Sequence, residues 1–166
     1  MNKVITVDEK DKPIGLKSYS DLQYEDIYRV SALWLTDING SSCLLTQRKW
    51  TKRNDPGKWM AAASGTIEEG ETYDDNIVHE IEEEIGLTGL DLAKGPKEFI
   101  DEGKHRFFVQ WYFANVDKDK VKIKIQEDEV ENFKWITIAE LTMMVNNHTE
   151  DFVPTMAESL HPLGVL

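Results

Sequence analysis

Gly65-Thr66-Ile67-Glu68-Glu69-Gly70-Glu71-Thr72-Tyr73-Asp74-Asp75-Asn76-Ile77-Val78-His79-Glu80-Ile81-Glu82-Glu83-Glu84-Ile85-Gly86-Leu87 is the stretch on which the reading of this chain turns. Four of the five residues from Glu80 to Glu84 are carboxylates, and no Lys or Arg stands anywhere from Tyr73 to Leu90. Like charges one helical turn apart cost roughly 0.2–0.5 kcal/mol per pair, so a helix of this composition repels itself. A bound cation would relieve the repulsion.

The ends of the stretch predict a helix. Thr72 with Asp75 three residues on has the form of a capping box, Asp74 and Asp75 suit the positive end of the dipole, and Gly86 suits a left-handed C-cap. At about 100° per residue Ile77, Val78, Ile81 and Ile85 share an apolar arc, Glu80, Glu83 and Glu84 an adjoining acidic one, and Glu82 points elsewhere. Three carboxylates at the edge of a buried face suit one hard cation with oxygen ligands. A solvated acidic face would normally interleave Lys, and this one does not.

The arrangement resembles the Nudix box: Gly, five residues, Glu, seven residues, Arg-Glu, an aliphatic, any residue, Glu-Glu, any residue, Gly, aliphatic. Gly65, Glu71, Glu80, Ile81, Glu83, Glu84, Gly86 and Leu87 fall in place, and His79 stands where the family has Arg. The resemblance implies an α/β fold, the Nudix-type α/β/α sandwich with a mixed central sheet, over a single domain of residues 1–166. It implies Mg²⁺ or Mn²⁺ as cofactor, Glu80, Glu83 and Glu84 as metal and base carboxylates, and the Gly65 carbonyl as a further ligand. Glu71 and His79 read as structural support of the box.

A closer resemblance, to the isopentenyl-diphosphate isomerase branch of that superfamily, covers nearly the whole chain. It rests on the N-terminal hairpin and on Tyr28-Arg29-Val30-Ser31-Ala32-Leu33-Trp34, Leu44-Leu45-Thr46-Gln47-Arg48-Lys49 and Asp55-Pro56-Gly57-Lys58-Trp59. By that likeness Arg48 and Lys52 contact a diphosphate, Glu129 is a metal carboxylate and Glu127 supports it. The chemistry departs: Ser64 stands where the isomerase has its catalytic cysteine, and Tyr28 and Thr66 where it has two metal-binding histidines. The isomerase in turn lacks the complete set of box glutamates kept here. Proton transfer at an allylic carbon needs that acid/base machinery.

Composition agrees with one cytoplasmic catalytic domain. A chain of 166 residues with 40% hydrophobic content closes a core without staples. Cys43, alone and flanked by Ser42 and Leu44, reads as a packed thiol in a reducing compartment. Charged residues come too early after Met1-Asn2 for a signal peptide, and no apolar run reaches the length of a membrane span. The net charge of -12 argues against general nucleic-acid binding. Arg48, Lys49, Lys52, Arg53 and Lys58 nevertheless put a cationic loop just before the acidic helix, a polarity suited to phosphates held by both metal and side chains.

Period and punctuation predict a hairpin of Lys3–Val7 with Pro13–Lys17, a core strand Tyr28–Thr36, an Asn39-Gly40 turn into Ser42–Lys49 and a short strand Met60–Gly65. After the acidic helix come strands around Lys97–Ile100, His105–Val116 and Lys120–Ile125, then the segment Glu127–Ile136, in which Phe133 and Trp135 are core. Helices follow over Ile138–Asn146 and Phe152–Leu160. Trp50 and Trp59, beside the basic loop, are candidate pocket residues. His105, His148 and His161 have no metal-ligand spacing and are not site candidates.

Three readings therefore stand. The first is a metal-dependent hydrolase cleaving a small-molecule diphosphate linked to a nucleoside, sugar or alcohol. The second is an isopentenyl-diphosphate isomerase-like enzyme, and the third a non-catalytic binding module of the same fold. The group attached to the diphosphate and the oligomeric state, a homodimer included, stay open at this level.

Overall fold

Turn residues and hydrophobic alternation cut the chain into β1 (Lys3–Val7), β2 (Pro13–Ser18), β3 (Ile27–Asp37), β4 (Ser42–Arg48), β5 (Trp59–Met60) and β6 (Ala63–Thr66). There follow α1 (Tyr73–Ile85), β7 (Ala93–Asp101), β8 (Arg106–Val116), β9 (Val130–Thr137), α2 (Ile138–Asn147) and α3 (Pro154–Leu160). The structure, a computed structural model, describes residues 3–161 and 163–165. Met1 and Asn2, the start of the N-terminal stretch weighed above, lie outside the described residues.

β3 organises the sheet. Along one edge it runs parallel to β8 for its whole length, from Ile27↔Arg106 to Asp37↔Val116, and β7 pairs antiparallel beyond β8. Its other edge is shared in succession by β1 at Tyr28, β6 from Val30 to Leu33 and β4 at Thr36 alone. From that single pair β4 diverges to join β5 and β9. The sheet is mixed, as expected, and the divergence opens a cleft between β3/β6 and β4/β5.

Alternation along the strands builds two apolar layers, because successive side chains point to opposite faces. Ala32, Trp34, Leu45, Val109 and Trp111 pack with Leu141, Val145, Met156 and Leu160 of α2 and α3. Leu33, Leu35, Leu44, Tyr112 and Ala114 pack with Ile77, Ile81 and Ile85 of α1 on the other side. This is the α/β/α sandwich. Cys43 is fully buried, and burial pushes its thiol up to about 12, so it is an inert packing group.

Several expectations need correction. Val78 is 52% exposed and lies outside the apolar arc of α1. The strand expected over Met60–Gly65 is two, β5 on β4 and β6 on β3, because the chain crosses the cleft at Ala61-Ala62. Lys120–Ile125 is not a strand. Val121 and Ile123 pack against the α1 layer, but Lys124 N–H and Gln126 N–H donate to the last carbonyls of α1, Ile85 (3.0 Å) and Glu84 (3.2 Å), rather than to a ladder. The last helix starts at Pro154, which supplies the first helical position, while Phe152 bridges to Trp59.

An ionic knot not foreseen from sequence fastens α1 to the sheet. Asp11, in the β1–β2 turn, accepts hydrogen bonds from Arg29 Nε (2.6 Å), Lys97 Nζ (2.6 Å) and the Tyr73 hydroxyl (3.2 Å). Burial pushes its carboxyl up, but the bonds from Lys97 and Arg29 outweigh it and hold Asp11 below the usual value. A lowered folded pKa contributes stability above the unfolded pKa of ~3.9 and loses it as pH falls through the folded value. Asp11→Asn is expected to cost about 1–2 kcal/mol after solvent screening, a drop in Tm of about 2–8 °C at pH 7. The gap from wild type should close below about pH 4; a gap unchanged down to pH 2 would mean that the charge plays no part.

Candidate active site

The site begins with how α1 is set. Thr72 and Asp75 form the reciprocal capping box, and Gly86 closes the helix at φ 70°. Glu71 locks the preceding loop: its Oε2 accepts from Glu68 N–H (2.9 Å) and Asn76 Nδ2 (3.0 Å), and its Oε1 faces His79 Nδ1 at 3.2 Å. The hydrogen bond to Glu71, with the charges of Glu71, Asp75 and Glu83, raises the His79 pKa. Glu71 and His79 thus sit as a pair, one on the loop and one on the helix.

Buried Asn76 was not singled out from sequence, yet it joins three elements. Its Oδ1 accepts from Ser31 Oγ of β3 (2.6 Å), and its Nδ2 reaches the Thr66 carbonyl (3.3 Å) and Glu80 Oε1 (3.5 Å). An amide in an apolar helix face is the only signal the sequence offered. Ser64 N–H donates to Glu84 Oε2 (2.9 Å), so β6 and α1 are held backbone to carboxylate. A Cβ on Gly65 would collide with the Glu80 carboxyl, which is why the position between them has no side chain.

Glu84 is buried and Glu80 half-buried. Burial, the charge of Glu80 and that of Glu129 push Glu84 up to about 8, against the Ser64 hydrogen bond and Arg48. Burial and the charges of Glu83, Glu71 and Glu129 push Glu80 up to about 7. These are carboxylates crowded against one another with water excluded, the condition that a divalent cation reverses. Among the described residues no three His, Cys, Asp or Glu converge as a preformed cage. Glu83 stands exposed beside the pair, and Glu129 is engaged by the Lys52 ammonium. The donor set, all oxygen and anionic, nevertheless fits Mg²⁺ or Mn²⁺.

A cavity of about 510 Å³ opens in the cleft and brings together Gly65, Glu80, Glu83, Glu84 and Glu129 with Arg48 and Lys52. Arg48 is held by the Asn54 carbonyl (3.0 Å), and Arg53 also lines the space. The other loop cations turn elsewhere: Lys49 pairs with Glu131 (3.2 Å) and Lys58 with Asp55 (3.5 Å). Glu127, expected among the site carboxylates, is exposed and outside the lining, because the turn before β9 points Glu129 inward instead. Trp50 and Trp59 do not line the cavity either. Trp50 is 65% exposed with its ring over Gly57, whereas Trp111 of β8 forms part of the wall.

This site, on a mixed sheet between helices, defines an enzyme of the Nudix pyrophosphohydrolase class. The family model described as NUDIX domain matches residues 27–158, and the chain belongs to that family. It is 29% identical over 131 residues to the uncharacterized Nudix hydrolase PA4841 of Pseudomonas aeruginosa, over 78% of this chain and 75% of that one. It is 25% identical over 153 residues to isopentenyl-diphosphate Delta-isomerase 2 of Photorhabdus laumondii, over 87% of this chain and 82% of that one. The crystal structure of DR0079 from Deinococcus radiodurans shares the fold with a TM-score of 0.83 at 19% identity, over 96% of this chain and 97% of that one. Among the described residues no helix is long and apolar enough to cross a membrane.

Proposed function

We propose that the chain is a divalent-metal-dependent hydrolase that cleaves the diphosphate of a small molecule. The observation that carries this reading is the Glu80–Glu84 pair, pushed up by burial and mutual charge against the bare backbone of Gly65, in a cavity that also receives Arg48 and Lys52. Glu80, Glu83 and Glu84, with the Gly65 carbonyl and Glu129, would hold Mg²⁺ or Mn²⁺. The ion supplies an acidified water and neutralises charge developing on phosphoryl oxygens.

The side chains do the rest. Arg48 and Lys52 orient the diphosphate oxygens, Arg48 as a fixed fork and Lys52 as a mobile point charge once it leaves Glu129. A box carboxylate takes the proton of the attacking water, and the Ser64 amide keeps Glu84 from swinging out. Glu71, His79 and Asn76 hold the helix end and the loop in register. A reducing, cytoplasmic setting suits a chain whose single cysteine is buried. A screen of nucleoside, sugar and alcohol diphosphates with Mg²⁺ and Mn²⁺, following phosphate or pyrophosphate release, tests the reading; no release from any of them, with metal present, would refute it.

The likeness to an isomerase favours a second reading, and Ser64 argues against it. A serine hydroxyl is a poor acid/base beside a thiol, and among the described residues Ser64 Oγ donates to the Met60 sulfur at 3.9 Å. Wild-type protein is expected not to interconvert isopentenyl and dimethylallyl diphosphate. Measurable interconversion that disappears in Ser64→Ala would reverse the assignment.

A further inference from the structure

The cavity extends well beyond the carboxylates. Gly65 faces Ser31 across β3, and Tyr28, three residues further along that strand, lies beside Phe107 of β8. At ~3.3 Å per residue this level is about 10 Å from Gly65. Arg48, Glu84, Tyr28 and Glu102 all line this one cavity, and the charge of Arg48 acts on both Glu84 and Tyr28. The Tyr28 ring packs 5.4 Å from Phe107 and meets His105 edge-on at 6.2 Å. The β7–β8 turn brings Glu102 and His105 to the lining, and α3 brings Thr155 and Ser159, four residues apart and so on one helix face.

Polar groups without protein partners gather at this end. Among the described residues the half-buried Glu102 carboxylate makes no hydrogen bond and no ion pair, and the buried Ser159 hydroxyl has no partner. Burial, Asp55 and Glu158 raise the Glu102 pKa, with Lys104 and Lys58 opposing, so it is an acceptor held in an unfavourable place. Native structures rarely leave a buried hydroxyl such as that of Ser159 unmet, and the half-buried Glu102 carboxylate shares the same cavity lining. The whole cavity, about 510 Å³, has the size of a site for a mid-sized ligand, roughly 300–1,000 Å³.

We propose that Glu102 is a specificity-determining residue, accepting hydrogen bonds from a flat ring with N–H donors, such as an amino-bearing nucleobase, on the group attached to the diphosphate. The aromatic wall of Tyr28, Phe107 and His105 suits a planar ring. A hydrocarbon chain in the same space would leave Glu102 and Ser159 dry and unpaired, and a site built to hydrogen-bond rejects ligands that cannot. This inference rests on the reading of the carboxylate end as the diphosphate site.

The test compares ADP with geranyl diphosphate as substrates of wild type, Glu102→Leu and Glu102→Gln, with Mg²⁺. Wild type should prefer ADP at least tenfold in kcat/KM, and Glu102→Leu should lower that ratio at least tenfold, chiefly through KM. Glu102→Gln, which keeps an acceptor and the shape, should fall between and serves if the leucine variant does not fold. A ratio unchanged within twofold in both variants, or a wild type that prefers geranyl diphosphate, overturns the inference. If neither compound is cleaved the hydrolase reading is the one in difficulty, and the Tm shift given by ADP still decides this subsite. A shift in wild type that Glu102→Leu loses supports it; one absent from wild type, or equal in both, overturns it.

Discussion

Glu84→Gln is expected to lower diphosphate hydrolysis by more than ~10²-fold while leaving the fold as stable as before or more so. The amide keeps the shape, and its oxygen can still accept the Ser64 N–H that now bonds Glu84. What disappears is a buried carboxyl whose ionised form is opposed by burial, Glu80 and Glu129, so the folded state loses a source of strain and the site loses a ligand. Activity down and Tm level or up is the signature of a group kept for function at the expense of stability. Glu83→Gln should lose activity to a similar degree with less change in Tm, because Glu83 stands exposed. Full activity of both variants with EDTA present would mean that these carboxylates hold no catalytic metal.

Gly65→Ala is the second large effect. Gly65 is not among the glycines of positive φ, so alanine is tolerated by the backbone itself. The cost comes from the added methyl, which meets the Glu80 carboxyl and must push it out of line with Glu84. Divalent-metal affinity and hydrolysis are both expected to fall at least tenfold, equivalent to about 1.4 kcal/mol of lost binding. Glu80→Asp in the alanine background, one methylene shorter, should recover part of the metal affinity. Unchanged metal affinity in Gly65→Ala would show that Glu80 and the Gly65 backbone do not act together.

Much of this was legible because it is local. The capping box at Thr72 and Asp75, the left-handed Gly86 and the aliphatic spacing of α1 are set by contacts within a few residues. The same holds for the N-terminal hairpin and the Asn39-Gly40 turn. What escaped depended on partners distant in sequence. Lys120–Ile125 alternates like a strand, yet its Lys120 and Val121 N–H groups turn back to the Asp117 carbonyl and its Lys124 N–H donates to Ile85 at the end of α1. Met60–Gly65 reads as one apolar strand, and only the divergence of β4 from β3 divides it.

The candidate site divides in the same way. Glu80, Glu83 and Glu84 were named by spacing along one helix, and the structure brings them to one cavity with Gly65, Glu129, Arg48 and Lys52. Glu127 and Glu129 are two residues apart, and sequence could not tell which would face inward. Asn76, Asp11 and Glu102 were overlooked because each gains its meaning from elements far away: Ser31 on β3, Lys97 on β7, and the α3 face.

The central claim is that the Glu80–Glu84 cluster holds a divalent cation, and Mn²⁺ binding tests it without reference to any substrate. Titration of metal-free protein with Mn²⁺, followed by electron paramagnetic resonance of the free ion, should show binding in wild type that weakens at least ~10²-fold in Glu84→Gln, with the variant still folded by its Tm. Equal Mn²⁺ affinity in wild type and a folded Glu84→Gln, or no binding by wild type, would contradict the account.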